Sequence, residues 1–88
     1  MYPIRQTGPS VTVGAGATVA VAAPSSHVLV SNSAATWSDF AFAATAAVPA
    51  TPLLPIPPNG QLLVQSTGSA YYASSIGSIT VTPCEVRQ

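Results

Sequence analysis

The sequence predicts an all-β protein: a small antiparallel β-sandwich or barrel, jelly-roll or Greek-key-like, with a long proline-rich connector. Apolar residues recur with period two in short runs, as strands with one buried face require, and no 3.6-residue apolar period persists for the length of a helix. Turn residues separate these runs at close intervals, from Gly14-Ala15-Gly16 to Ser75-Ile76-Gly77. At 88 residues the chain is one domain, of a size that buries only about two-thirds of the surface its unfolded state exposes.

Taken in order, strands are predicted over residues 10–13, 18–23, 27–32, 37–44, 61–66, 70–74 and 78–83. Alternation assigns their inward faces: Val11 and Val13, Val19 and Val21, Val28 and Val30, Phe40 and Phe42, Leu62 and Val64, and Ile79 and Val81 share one core. The opposite faces carry Thr, Ser, Ala and Gln, which are uncharged and do little to prevent packing against another protein. Residues 1–9 are expected to form an N-terminal arm, 10–83 the sandwich, and 84–88 a C-terminal tail. The run VTVGAGATVAVAA after Arg5 has some character of a signal-peptide core, but it alternates, is broken by Gly14 and Gly16, and is too short to span a bilayer. Two short strands joined by a glycine turn are the better reading.

The stretch from Ala43 to Pro58 is expected to be a long crossover connection. Pro52, Pro55, Pro57 and Pro58 remove backbone donors and fix φ, which rules out both a helix and a central strand. Leu53, Leu54 and Ile56 nevertheless sit on this connector and need something to cover them.

Charge is the most informative part of the composition. Charged residues are 5% of the chain, against roughly 25% in an average soluble protein, and Arg5, Asp39, Glu85 and Arg87 are all of them. Two separated arginines do not make a phosphate-binding surface, so nucleic acid is excluded as a partner. A free monomer with so little charge is poorly protected against self-association, and one cysteine allows no intrachain disulfide to reinforce a small core. The expected state is a homo-oligomer, taken as a trimer, whose apolar connector and uncharged faces are covered by neighbours.

No chemistry-bearing constellation emerges. Ser26, His27 and Asp39 are the residue types of a nucleophilic triad, but no G-x-S-x-G elbow surrounds any serine. A single histidine does not make a zinc site, which needs three or four ligands, and no cofactor is expected. Asp39, between Ser38 and Phe40, is expected to face outward and bond a loop or an arginine of a neighbour; Cys84 is expected to be an inert small residue. Trp37, Tyr71 and Tyr72 suit either subunit contacts or a sugar platform, since rigid rings give much contact area for little entropy.

Three stretches, VLVSNSAATWSDFAFA, PIPPNGQLLV and GSITVTPCEV, together resemble the small β-sandwich proteins of tailed-bacteriophage virions. Val28, Val30 and Asn32 match a V-x-V-x-N strand; Ile56, Pro57, Pro58 and Gly60 approximate an I-P-x-G turn; Val81, Thr82, Pro83 and Glu85 match a closing V-T-P-G-E in which Cys84 replaces the glycine and its left-handed turn. The resemblance covers about two-thirds of the chain. It implies a non-enzymatic capsid decoration, or cement, protein, made in the host cytoplasm and placed on the virion surface, with the major capsid protein as partner and no membrane. Tyr2, Ile4, Arg5, Trp37, Leu53, Leu54, Ile56 and Arg87 are the expected interface, with Tyr2, Pro3 and Ile4 as a hydrophobic hook and the arginines bonding partner carboxylates or carbonyls. A head-fibre, neck or tail component and a carbohydrate-binding module are the alternatives.

Overall fold

The computed structural model describes residues 4–21, 25–50 and 53–86, and these form nine strands and no helix. They are β1 (Ile4–Gln6), β2 (Val11–Val13), β3 (Thr18–Ala20), β4 (His27–Ser31), β5 (Ser38–Ala43), β6 (Leu54–Ile56), β7 (Gln61–Gln65), β8 (Tyr71–Ala73) and β9 (Ile79–Val86). One sheet runs β1-β9-β4-β7, with β2 also on β9; the other runs β3-β8-β5-β6, and every pairing is antiparallel.

The pairings β2–β9, β3–β8, β4–β7 and β5–β6 are nested, so the strands from β2 to β9 trace one long hairpin. Rolling that hairpin sets β9 against β4 and β8 against β5, and the result is a jelly roll of two Greek keys. Every connection from β2 onward changes sheet except β5 to β6. The described residues between β5 and β6, 44–50 and 53, therefore lie at the tip of the rolled hairpin and join neighbouring strands, in place of the crossover expected there.

All twelve residues assigned inward by alternation lie in or against the core. Val13, Val28, Val30, Phe40, Ile79 and Val81 are buried, and Val11, Val19, Val21, Phe42, Leu62 and Val64 pack around them. Ile56 and Tyr72 complete the core. Tyr72 stands opposite Phe42 in the register, and its ring lies 5.9 Å from that of Phe42 and 6.1 Å from that of Phe40; Phe40 and Phe42 meet edge to face at 5.1 Å. Tyr72 is thus a core aromatic and not part of a surface platform.

The proline connector holds the sixth strand. Pro55 lacks an N–H and is tolerated because β6 is the outer strand of its sheet. Pro58 and Asn59 then occupy the middle of a tight turn closed by Gly60 N–H donating to Pro57 O at 3.0 Å; Asn59 has φ 55°, and proline followed by a positive-φ residue is the type II pattern.

The boundaries at 10 and 83 fall inside the sheet. Ile4, Arg5 and Gln6 pair with Val86, Glu85 and Cys84, so the segments expected as arm and tail contribute strands that hold each other. Pro83 does not end β9 because of where its nitrogen points. Its carbonyl accepts from Thr7 N–H at 2.9 Å, so its nitrogen faces the same side, into the break between β1 and β2, where no ladder bond is required of it. Cys84 continues the strand in extended conformation in place of the glycine turn.

Candidate functional site

Two regions concentrate what is unusual in this molecule: a polar loop end around Asp39, and an open apolar edge between β6 and β7.

At the first, β5 begins with three buried residues, Ser38, Asp39 and Phe40. Asp39 was expected to face outward and bond a loop or a neighbour's arginine; it does bond a loop, the one between β8 and β9, but that loop covers it to 8% exposure. Oδ1 accepts from Ser75 N–H at 2.7 Å, Ile76 N–H at 3.2 Å and the Ser74 hydroxyl at 3.1 Å, and the Ser75 hydroxyl donates to Oδ2. Burial raises the energy of the charged form, but the hydrogen bonds from Ser75, Ile76 and Ser74 outweigh it and hold the carboxyl below its ordinary value. Gly77 sits directly against Ser38: a Cβ there would lie 3.1 Å from the Ser38 Cβ and 3.2 Å from the Trp37 carbonyl, and closer still to the Ser38 hydroxyl. Loop closure therefore depends on the absence of a side chain at 77.

Asn32 performs the corresponding task on the β4–β5 loop. Buried to 2% exposure, it donates from Nδ2 to Thr36 O at 2.8 Å, Pro57 O at 3.2 Å and Ile56 O at 3.3 Å, and accepts from Ala34 N–H at 3.0 Å. One side chain thus ties the loop before β5 to the end of β6. The asparagine of the V-x-V-x-N pattern has a physical reason in this chain.

These networks serve the fold: each holds a loop against the strands beside it. Asp39 serves its loop, and His27 Nδ1 lies 3.0 Å from Ser26 Oγ in the other sheet, so Ser26, His27 and Asp39 are not joined in a hydrogen-bonded relay. Among the described residues no three His, Cys, Asp or Glu side chains gather as metal ligands would. Cys84 is 1% exposed and burial pushes its thiol up, which leaves it poorly nucleophilic at neutral pH.

The second region is an open pocket of about 370 Å³ at the side of the sandwich where the outer strands β6 and β7 face each other. Phe40 and Phe42 line it with Leu53, Leu54, Pro55 and Val64. Its lining has no charged residue, so it suits an apolar side chain of a partner protein.

The expected interface residues divide accordingly. Leu53 and Leu54 rim this pocket, and Leu54 is 44% exposed. Trp37 is 55% exposed on the loop that Asn32 organises. Ile4 is exposed on β1. Ile56 is fully buried and unavailable to a partner, because the residue after Pro55 turns back into the core. Arg5 already has an intrachain partner: it faces Glu85 across β1–β9 with Nη2 to Oε2 at 3.3 Å, both side chains well exposed. Tyr2, Pro3 and Arg87 lie outside the described residues. Exposed Leu63 and Ile76 were not expected. The signal for Leu63 was present in QLLVQ, a strand with neither charge nor proline.

No protein-family model, curated protein or solved structure matches this chain.

Proposed function

We propose that the protein is a non-enzymatic structural component of a bacteriophage virion, of capsid-decoration type, which self-associates and binds the major capsid shell. The observation that carries this reading is the pairing of a jelly roll with a sparsely charged surface that opens, between β6 and β7, into an apolar pocket. Jelly rolls recur in viral capsid and lectin domains, so the fold accommodates the reading without selecting it. Asn32 and Asp39 hold the loops carrying Trp37 and Ile76 in place from within, and apolar side chains presented on ordered loops bind with less entropy loss. Arg5, 64% exposed beside Glu85, keeps guanidinium donors for a partner carboxylate or carbonyl.

Immunogold labelling of purified virions with antibody to the chain tests the assignment. Regular label over the shell supports it, label confined to neck or tail moves the protein to another virion position, and unlabelled particles refute it. In the same particles, Leu54→Asp is expected to lower occupancy at least tenfold. Exposure of Trp37 favours carbohydrate binding as a second reading. Glycan-array binding that Trp37→Ala abolishes would establish it.

A further inference from the structure

We propose that β7 is a self-pairing edge: two copies join through it in an antiparallel, two-fold contact centred on Leu63, continuing one sheet across both protomers. This goes beyond the virion assignment and does not depend on it.

The hydrogen-bond phase of the strand supports this contact. Ser66 N–H donates to Ser26 O at 2.9 Å and Asn32 N–H to Gly60 O at 2.9 Å, at the two ends of the β4–β7 ladder. An antiparallel ladder alternates, so residues 60, 62, 64 and 66 turn their backbone groups toward β4, and Gln61, Leu63 and Gln65 turn theirs away. β7 is the last strand of its sheet, and these three N–H and three C=O groups meet no strand among the described residues. A second β7 laid antiparallel with Leu63 opposite Leu63 of the other copy has its free groups in the same phase. Gln61 then faces Gln65, Leu63 faces itself, and all six groups on each edge bond reciprocally.

Side chains fit the same register. QLLVQ reads nearly the same in both directions, so the pairing sets Leu62 beside Val64 on the core face and Leu63 beside Leu63 on the outer face. A two-fold axis places a charge on it against itself, and no residue from Phe40 to Cys84 is charged. Leu63, 39% exposed, is covered in such a pair. Edge strands are normally blunted by lysine, proline or a bulge; β6 carries Pro55 at its centre, while β7 carries none of these. The building block is then a dimer, in place of the trimer that the sequence led us to expect.

Light scattering at tens of micromolar is expected to give twice the 8.8 kDa protomer mass, and Leu63→Lys to return the protein to one protomer mass with its β circular-dichroism spectrum retained. Cysteine scanning reads the register without depending on a disruptive variant. Directly opposed hydrogen-bonded residues have Cα atoms about 5.5 Å apart, within disulfide range. Oxidised Leu63→Cys is therefore expected to link to itself, while Gln61→Cys and Gln65→Cys link only when mixed. A monomeric wild type, an oligomer whose mass Leu63→Lys leaves unchanged, or self-linking at 61 or 65 in place of 63 overturns the proposal. Virion labelling is a separate measurement, so either proposal can fail alone.

Discussion

Asp39 permits an unusually clean test of how a single buried carboxylate stabilises a fold, because Glu85 is the only other acidic side chain in the protein. Asp39→Ala removes the acceptor for two backbone N–H groups and two hydroxyls. A hydrogen bond to a charged group contributes about 1.5–3 kcal/mol, but these four share one carboxylate and a loop that water can reach, so they do not add. We expect a loss of about 3 kcal/mol, against a total of roughly 4–13 kcal/mol for a chain of this size. That corresponds to a fall in Tm of roughly 12–24 °C. Asp39→Asn keeps Oδ1 for Ser74, Ser75 and Ile76 and presents an amide to the Ser75 hydroxyl, which can turn to accept. Its expected cost is about 1–2 kcal/mol.

The pH dependence separates the charge from the hydrogen bonds. The folded carboxyl is held below its ordinary value, so the native state binds fewer protons than the unfolded chain. Its contribution is complete above an unfolded aspartate pKa of about 3.9 and is lost as pH falls through the lower folded value. Urea unfolding of wild type and Asp39→Asn between pH 7 and pH 2, at one fixed protein concentration, is the assay. Wild type should lose stability below about pH 4 while Asp39→Asn stays nearly flat, so that the two curves converge in acid. Parallel curves would mean that the carboxylate charge is not what the loop donors stabilise, and the reasoning fails.

Asn32→Ala should lower the urea midpoint by the equivalent of about 2–3 kcal/mol with an unchanged m value, since it removes the Nδ2 donor of the buried Ile56 carbonyl and of Thr36 O without altering the surface exposed on unfolding. Cys84 should react with a thiol reagent at neutral pH at least a hundredfold more slowly in the folded protein than in urea, and equal rates would contradict its burial. Breaking the exposed Arg5–Glu85 pair by Arg5→Ala should change stability by no more than about 1 kcal/mol, because solvent screens it. A larger loss in thermal melts would show that β1 is held by that charge and not by its ladder with β9.

Much of this architecture is local information. Which residues of β2, β4, β5, β7 and β9 turn inward follows from alternation along a single strand, because a pleated chain sends neighbouring side chains to opposite faces wherever it lies. The lack of a helical apolar period and the scarcity of charge are likewise properties of the chain alone. What tertiary structure decided depends on partners distant in sequence. Pro55 permits a strand only because it falls at a sheet edge, and Pro83 only because the break between β1 and β2 lies beside it. Ile56 and Tyr72 carried no alternation of their own strong enough to assign them to the core; their burial comes from the strands across the sandwich. Asp39 alternates as an outward residue, yet the loop after β8 folds over it and supplies donors 35 to 37 positions away. The phase of β7, which leaves Gln61, Leu63 and Gln65 facing away from β4, is set by its pairing with that strand, since a strand does not choose which of its two edges is satisfied until a neighbour takes one.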